Sequence, residues 1–416
     1  MGQGRIKNNY FTVPDRRPPK SKDNGEIEDI LGKYGAKFPF LHTADICGAR
    51  IQLRTNSRHV SDYWILNWYP SHNQNPDGMI YVVDGIEGYE PHLFYDLEKR
   101  RILIVNSEYY GAVKSAGALG LAGVIFAERG GYPIHGACLG IDKNGTTEGV
   151  VIIAPTGTGK TSQLHELLYN VPGTKVHSDD YVFVFFEDGI IARATENWLY
   201  IRSDVAEQHP TFINLFHDME MENVVEQKDL CPQIGDDSGQ RKHGPCYSET
   251  LYGNKVCVFD EGADRCYWAY GNSRVMFDRA RFPMLMKGKD GSLYEAPKGR
   301  KNVIDEVPLK YIFLLTRDDH TPPVSRLDTK EAVAVLKEGK YTVRPGAGPP
   351  EKWGKIGYEP FFDPYPPELN AQRQEEFYTR LFDSGVSCYL LNTGSYKRMD
   401  IPVHRTHMYI RHILEI

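Results

Sequence analysis

The stretch VVIIAPTGTGKTS, residues 150–162, decides the fold, because an apolar strand runs directly into a loop of small residues that ends in Gly159, Lys160 and Thr161. The run SQLHELLYN, which overlaps its end, is typical of a helix. Glycines allow backbone N–H groups to turn toward a phosphate, and the N-terminus of a helix adds partial positive charge. The order of strand, loop and helix therefore predicts a phosphate-binding loop within an α/β fold.

The loop is expected to hold the phosphates of ATP or GTP. Lys160 would neutralise the β- and γ-phosphate oxygens, and the Thr161 hydroxyl would hold a magnesium ion. The usual motif begins with glycine, whereas this chain has Ala154 at that position. The predicted nucleotide-binding residues of the loop are Thr156, Gly157, Thr158, Gly159, Lys160, Thr161 and Ser162.

A pair of carboxylates, Asp179 and Asp180, opens an apolar run about twenty residues beyond the loop. At the edge of a strand, both can reach a cation held by Thr161, so the spacing predicts that both bind metal. His135 stands one strand before the loop, and we expect it beside the loop strand in the sheet. It is either a structural histidine or a metal ligand and proton carrier.

The net charge and the spacing of the cysteines argue against several classes of function. The 416-residue chain has a formal net charge of -6, so it lacks the basic field that attracts nucleic acid or an anionic membrane. Its seven cysteines form no CxxC pair, which fits a reduced compartment and predicts no zinc site. We find no apolar signal segment and no stretch approaching about 18 apolar residues. We therefore expect a soluble, cytoplasmic protein without nucleic-acid or membrane partners.

Changes in pattern along the chain predict three parts. Residues 1–27 are expected to be a flexible tail, residues 28–130 an α/β lobe, and residues 131–416 a domain built around the phosphate loop. Residues 217–250 are polar and lack periodicity, which predicts a surface insertion. A Gly- and Pro-rich stretch near residues 340–360 predicts either a surface loop or a lid over the site.

Several elements follow from local patterns. The runs YWILNWY, MIYVVD and RRILIVN predict strands, and KSAGALGLAGVIFAE predicts a helix. The tight turn in DKNGTTEG predicts a hairpin that leads into the loop strand. The carboxyl-terminal segment predicts a helix, a strand and a helix in that order.

Four runs resemble ATP-dependent phosphoenolpyruvate carboxykinase: TGTGKTS, SDDYVFV, YIFLLTRDDHTPPVSRLDTKEAVAVLKEGKYT and CYLLNTGSYKRMDI. The resemblance covers roughly residues 130–416, and these motifs are specific when they occur in this order. IHGACLGIDKNGTTEGVVIIAPTGTGKTS also resembles HPr kinase. The resemblance implies a two-lobed carboxykinase-like fold whose phosphate-loop domain has a mixed β-sheet flanked by helices. Both relatives transfer a phosphoryl group.

The resemblance also implies the ligands and their residues. ATP and Mg²⁺ would bind at the loop, and Asp180 and His135 would contact a catalytic Mn²⁺ or its equivalent, with Thr161 and Asp179 as further metal residues. Arg202 falls where the family has a phosphate-binding lysine. Arg398 falls where an arginine contacts the nucleotide.

The acceptor residues implied by the resemblance are Arg58, in RHVSDYWI, and Arg274, in NSRV. Two arginines suit an anionic or polyhydroxy small-molecule acceptor, bound by the amino-terminal lobe. A gap-free count back from His135 places Ala116 at the family's metal-binding lysine, with Lys114 two residues away. The amino-terminal lobe is also shorter than in the carboxykinases. The predicted catalytic residues are Asp180, His135, Lys160, Arg58 and Arg274.

Three functions stay open at this point. The first is a carboxykinase-like kinase that phosphorylates a hydroxyl of a small metabolite. The second is a true carboxykinase, which converts oxaloacetate and ATP to phosphoenolpyruvate, ADP and CO₂. The third is an inactive nucleotide-binding regulatory module. HPr kinase carries a base in its loop where this chain has Pro155 or a neighbour, so a hydroxyl would have to be activated by Asp180, His135 or the metal.

Overall fold

The computed structural model shows a mixed α/β protein. It describes these residues: 9–10, 18–72, 75–155, 157–202, 220–225, 227–231, 257, 259–260, 262, 266–267, 273–281, 285–287, 293–295, 302–343, 352–362 and 371–416.

The first sheet, here called the amino-terminal sheet, has six strands within the described residues: β2 (Lys20–Lys22), β3 (Phe40–Ile46), β4 (Ala49–Thr55), β5 (Gly78–Val83), β6 (His92–Asp96) and β7 (Arg101–Val105). Their order is β2-β6-β7-β5-β4-β3. The helical elements of this region are α1 (Glu26–Tyr34), α2 (Arg58–Asn67), α3 (Tyr110–Ala112), a π-helix (Val113–Leu119) and α4 (Gly120–Glu128). Helix α1 covers one face of the sheet, and the other helical elements pack on the opposite face.

The run YWILNWY is helical as far as Asn67, so its prediction as a strand is wrong. The Ser57 hydroxyl accepts a hydrogen bond from the Val60 N–H and caps the start of α2. Val60, Tyr63 and Trp64 follow helical spacing and are buried in the core. Packing of this face therefore overrides the strand preference of the aromatic residues.

The second sheet, the central sheet, has nine strands in the described part of the chain: β8 (Gly131–His135), β9 (Ala137–Lys143), β10 (Thr146–Ile153), β11 (Thr174–Ser178), β12 (Tyr181–Glu187), β13 (Gly189–Ala194), β21 (Glu306–Thr316), β22 (Val324–Leu327) and β25 (Ser387–Asn392). Strand β10 pairs antiparallel with β9 and parallel with β21. The predicted hairpin is confirmed, since Asn144 and Gly145 both adopt positive φ at its turn.

Helices flank the central sheet: α5 (Lys160–Asn170), α6 (Thr329–Glu338), α7 (Ala371–Asp383) and α8 (Val403–Leu414). Helices α6 and α7 pack on one face of the sheet, and α5 and α8 pack on the other. The predicted order of helix, strand and helix at the carboxyl-terminal end is confirmed by α7, β25 and α8.

The third sheet, the small sheet, joins distant parts of the chain: β1 (Asn9–Tyr10), β14 (Trp198–Arg202), β15 (Met221–Glu222) and β18 (Arg274–Asp278). Its order is β1-β15-β18-β14. Two expectations are wrong for the described residues here. Residues 9–10 and 18–27 of the predicted tail include strands of two sheets and the start of α1. Residues 220–225 of the predicted insertion are buried, whereas residues 227–229 are exposed, as expected of a surface insertion.

The remaining elements are short. They are the pairs β16 (Val224–Val225) with β17 (Cys266–Tyr267), β19 (Leu285–Lys287) with β20 (Leu293–Glu295), β23 (Lys340–Thr342) with β24 (Ile356–Tyr358) and β26 (Ser395–Tyr396) with β27 (Met399–Asp400), and 3₁₀ turns at Gly35–Lys37, Lys228–Leu230, Arg279–Arg281 and Pro360–Phe362.

Among the described residues, one helical segment, Tyr110–Glu128, is long and apolar enough to cross a membrane by length and composition. The expectation that no segment reaches this threshold is therefore wrong. In the structure 83% of its apolar window is buried inside the protein, as in the core helix of a soluble protein. The segment packs between the amino-terminal and central sheets, which accounts for its apolar composition.

Candidate active site

The predicted phosphate loop lies between the end of β10 and Lys160, the first residue of α5. Gly157 and Gly159 have φ angles of 83° and 103°, a region that residues with a Cβ rarely adopt. The Thr158 hydroxyl donates to the Pro155 carbonyl oxygen at 2.6 Å, which closes the loop on itself. Thr156 lies outside the described residues.

A second contact ties the loop to the neighbouring strand. The Thr393 hydroxyl donates to the carbonyl oxygen of Thr158 at 2.6 Å, just beyond the end of β25. Thr161 and Ser162 follow in the first turn of α5 and are half-buried. The loop is therefore held from both the α5 side and the β25 side.

Asp180 contacts two of the other predicted site residues, Lys160 and His135. Its Oδ1 lies 2.8 Å from Lys160 Nζ and 3.1 Å from His135 Nε2. His135 is the last residue of β8 and pairs with Tyr181, the first residue of β12. The expectation that His135 lies on the strand beside β10 is wrong, because β9 takes that position and β8 pairs with β12 at the far end of the sheet.

The ring of His135 is oriented by a backbone group. Its Nδ1 lies 2.5 Å from the carbonyl oxygen of Phe362. A carbonyl oxygen can only accept a hydrogen bond, so Nδ1 carries the proton. Nε2 lies 3.1 Å from Asp180 Oδ1, so in this structure the second ring nitrogen is hydrogen-bonded to that carboxylate.

Lys114 joins this group from the π-helix. Its Nζ lies 3.0 Å from Asp180 Oδ2 and 3.0 Å from Glu196 Oε1, and its side chain is only 1% exposed. The gap-free count had placed Ala116 here, but Ala116 is a core residue.

Glu196 is a site residue that the sequence reasoning did not identify. It lies between β13 and β14, and its Oε1 also accepts a hydrogen bond from Asn67 Nδ2 at 3.1 Å. Burial raises the pKa of Glu196 to about 7, against the opposing charge of Lys114. The available sequence signals were a single lysine within the apolar run of residues 110–128 and an acid in ENWLYIR.

The carboxylates and cationic side chains around Asp180 shift one another's pKa values. Burial favours neutral Asp180, but Lys114, Lys160 and His135 hold its pKa well below the usual range. Burial and the nearby Asp180 raise the pKa of Asp179. Burial opposes the charge on Lys114, but Asp180 and Glu196 together raise its pKa, so Lys114 stays an ammonium.

Whether a divalent cation fits beside Asp180 depends on the donor atoms that the surrounding side chains supply. In the described parts of the chain, no group of three or more His, Cys, Asp and Glu side chains is arranged as a metal site. Asp179 Oδ1 is buried and has no hydrogen-bond partner among those residues. His135, Asp179 and Asp180 are thus not grouped as a metal site in this structure, although carboxylate and imidazole are donor types that Mg²⁺ or Mn²⁺ accepts.

The predicted arginines lie at different distances from this group. Arg274 is near Asp179, whose charge it influences, and its guanidinium carbon lies 5.6 Å from the Tyr200 ring centroid. Arg202 is directly opposite Arg274 in the small sheet. Arg58 lies on α2 with its side chain 72% exposed, where it pairs with Asp62.

Arg398 lies in the turn between β26 and β27, exposed and with a φ of 65°. Its backbone N–H donates to Asp319 at 2.8 Å. No contact recorded for the described residues joins its side chain to Asp180. Of the predicted lid, residues 340–343 and 352–360 are described and include β23 and β24, and the remainder lies outside the described residues.

No protein-family model matches the chain, and no curated protein matches it in sequence. The geometry of the site therefore carries the functional argument.

Proposed function

We propose that the chain is an ATP-dependent phosphotransferase with a two-lobed, carboxykinase-like fold, and that it phosphorylates a hydroxyl of a small metabolite. One observation carries the proposal. Asp180 lies within 3.1 Å of Lys160 at the start of α5, of Lys114 and of His135. A lysine at a glycine-rich loop, two aspartates and an oriented histidine are the parts that phosphoryl transfer needs.

The phosphates of ATP would lie along the loop at residues 156–161, where backbone N–H groups and the α5 N-terminus favour negative charge. Lys160 would neutralise the β- and γ-phosphates. When bound, Mg²⁺ or Mn²⁺ supplies charge neutralisation at the transferring phosphoryl group. The residues that would hold it are Thr161, Asp179, Asp180 and His135.

The cationic side chains near Asp179 would stabilise charge on the transferred group. Lys114 and Arg274 both lie over the Tyr200 ring, at 5.3 and 5.6 Å from its centroid. Both are also close enough to Asp179 to influence its charge. Positive groups fixed at this point offset the charge that develops on the equatorial oxygens.

The acceptor hydroxyl needs a group to receive its proton. The loop has Pro155 where a loop base would stand, so Asp179 and Asp180 are the carboxylates beside Lys160 that can accept a hydrogen bond. In a loose phosphoryl-transfer transition state the hydroxyl keeps its proton until late. A hydrogen bond to a carboxylate is then sufficient.

The test is release of ADP from ATP, with Mg²⁺ and Mn²⁺, across a panel of sugars, polyols and hydroxy amino acids. A Lys160→Ala preparation purified in the same way controls for contaminating kinases. We expect product only with the unsubstituted protein. ATP binding without acceptor-dependent ADP release would instead support an inactive nucleotide-binding module.

A true carboxykinase is the second candidate, and the position of Lys114 favours it. Lys114 Nζ lies 3.0 Å from Asp180 Oδ2 and would take the part of the metal-binding lysine in that activity. Formation of phosphoenolpyruvate from oxaloacetate and ATP would establish this activity. Absence of that product together with transfer to a hydroxyl would exclude it.

A further inference from the structure

The carboxyl-terminal end of α2 is fastened to residues 195–198, which lead from β13 into β14 and are here called the β13–β14 connection. The carbonyl oxygen of Asn67, the last residue of α2, accepts a hydrogen bond from the Asn197 N–H at 3.0 Å. The indole N–H of Trp68 donates to the Thr195 carbonyl oxygen at 2.8 Å. The backbone of the connection therefore has a fixed place relative to α2.

The buried side chain of Asn67 makes two further contacts with the same connection. Its Oδ1 accepts a hydrogen bond from the Trp198 N–H at 3.1 Å, and its Nδ2 donates to Glu196 Oε1 at 3.1 Å. Because a backbone N–H can only donate, the amide oxygen must face Trp198, and the NH₂ group is then directed at Glu196. One side chain therefore fixes both the backbone of the connection and the carboxylate that it carries.

Glu196 in turn holds Lys114. The Nζ atom of Lys114 lies 3.0 Å from Glu196 Oε1 and 3.0 Å from Asp180 Oδ2, so the ammonium lies between two carboxylates. The Thr195 hydroxyl donates to the Tyr181 carbonyl oxygen at 3.0 Å, which ties the connection to the residue after Asp180. The place of Lys114 relative to Asp180 therefore depends on where the connection holds Glu196.

Stability alone is a weak reason for such an arrangement. The side chains of Lys114 and Glu196 are each 1% exposed, so both charges have lost their hydration. A buried ion pair is often no more stabilising than apolar residues of similar volume. The place of a charge does matter to a reaction, because a displacement of about 1 Å can lower the rate about a hundredfold. The arrangement is therefore better explained by the need to place the Lys114 ammonium.

We propose that Asn67 is a positioning residue for phosphoryl transfer, which acts through Glu196 to hold the Lys114 ammonium beside Asp180. This inference rests on the proposed function, in which Lys114 stabilises charge on the transferred group. The Asn67 amide limits the movement of the Glu196 carboxylate, and that carboxylate limits the movement of the ammonium. The positive charge is then in place before the reaction begins, so no reorganisation is needed during the transfer.

The first arm of the experiment measures how firmly Lys114 is held, without any substrate. Lysine amines are acetylated with N-hydroxysuccinimidyl acetate, and mass spectrometry gives the rate at Lys114 relative to Lys99, whose side chain is 61% exposed. A buried amine reacts only when local opening exposes it, so the rate depends on the contacts that hold it. Asn67→Leu and Glu196→Gln should each raise the relative rate about tenfold, since each removes a contact with a charged group.

The second arm follows ADP release with ATP, Mg²⁺ and the acceptor that gives product in the panel of sugars, polyols and hydroxy amino acids. Asn67→Leu should lower kcat about tenfold and leave KM for ATP unchanged, because the phosphate loop and Lys160 keep their contacts. A double variant, Asn67→Leu with Glu196→Gln, tests whether the effect passes through Glu196. Its kcat should equal that of Glu196→Gln alone, since residues that act through one another do not give independent losses.

Asn56→Leu is the matched control. The Asn56 side chain also links two segments, since it donates to the Asp84 carbonyl oxygen at 2.8 Å and accepts from the Asp84 N–H at 2.9 Å. Neither contact involves Glu196, so the labelling rate and kcat should match those of the unsubstituted protein. Circular dichroism confirms that each variant is folded. If Asn67→Leu does not fold, Asn67→Ser removes the same amide with a smaller polar side chain, and the same results are expected.

The outcomes separate this inference from the proposed function. If the unsubstituted protein transfers no phosphoryl group, the proposed function is overturned, and the labelling rate alone decides whether Asn67 holds Lys114. Transfer with an unchanged labelling rate or an unchanged kcat in the Asn67 variant overturns the inference and leaves a phosphotransferase. Losses in kcat that multiply in the double variant overturn it as well, since Asn67 would then act independently of Glu196.

Discussion

Lys114 Nζ and Glu196 Oε1 lie 3.0 Å apart, and each side chain is 1% exposed. The pair links the π-helix to the segment between β13 and β14. A buried charge is tolerated only while its partner is present, because each charge has lost its hydration.

We expect Lys114→Met to lower the free energy of unfolding by about 3–5 kcal/mol, because it leaves Glu196 and Asp180 without this cation. Urea denaturation measures the change. The control is Lys99→Met, whose ion pairs are exposed and which should have little effect. Adding Glu196→Gln to Lys114→Met should recover part of the loss, and additive losses would contradict the pairing.

Thr393→Val should weaken ATP binding about fivefold, since the hydroxyl that holds the loop at Thr158 contributes about 1 kcal/mol. Titration with a non-hydrolysable ATP analogue checks this. Thr379→Val removes a similar hydroxyl-to-carbonyl bond within α7 and serves as the control. Equal affinities for the two variants would show that the contact does not position the loop.

Divalent cation binding is expected to depend on His135 and Asp180. His135→Ala and Asp180→Asn should each reduce Mn²⁺ affinity at least tenfold, because each removes a donor of the proposed set. Electron paramagnetic resonance of free Mn²⁺ measures this. His92→Ala, which loses a hydrogen bond with Ser21 and a ring contact with Phe94, should bind Mn²⁺ as the unsubstituted protein does. Unchanged affinity in all three variants would place the metal elsewhere.

The pH dependence of stability should include a contribution from Asp77. The hydrogen bond from Arg50 lowers the pKa of Asp77 from 3.8 to about 2, although burial opposes this shift. A depressed folded-state pKa gives stability that is present above pH 3.8 and is lost as the pH falls toward 2. The contribution at neutral pH is about 2 kcal/mol.

Urea denaturation of the Asp77→Asn variant checks this. The difference from the unsubstituted protein should be constant between pH 7 and about pH 5 and shrink below pH 3.8. Glu90→Gln, at an exposed position, controls for loss of an acidic residue. A difference that stayed constant into acid would argue against the Arg50 contact as its source.

The local elements around the loop could be predicted from sequence because their signals are local. An apolar strand, glycines with positive φ and a helix all lie within residues 146–170, and the Asn144–Gly145 turn specifies its own hairpin. Sheet order is a property of distant segments. The same reasoning therefore selected His135 but wrongly placed its strand next to β10. In the structure that strand, β8, pairs with β12 at the far end of the sheet.

The other residues and elements that the sequence did not predict correctly also have physical reasons. The gap-free count selected Ala116 rather than Lys114, because counting along the sequence does not show which side chain faces Asp180. Glu196 gains its position only through contacts with Asn67 and Lys114, which come from another part of the chain. Aromatic residues of α2 have strand preference, and only the packing of the folded protein makes them helical.

The pairing of Asn9 with Met221 has a consequence for how the chain folds. The amino-terminal sheet uses only residues 20–105, so it can form while synthesis continues. The small sheet needs the earliest described residues together with β15 and β18, and such distant pairing forms slowly because loop closure must come first. Strand β1 therefore stays unpaired until β15 has been synthesised. We expect its docking, and with it the stacking of Tyr10 on His59, to be among the last steps of folding.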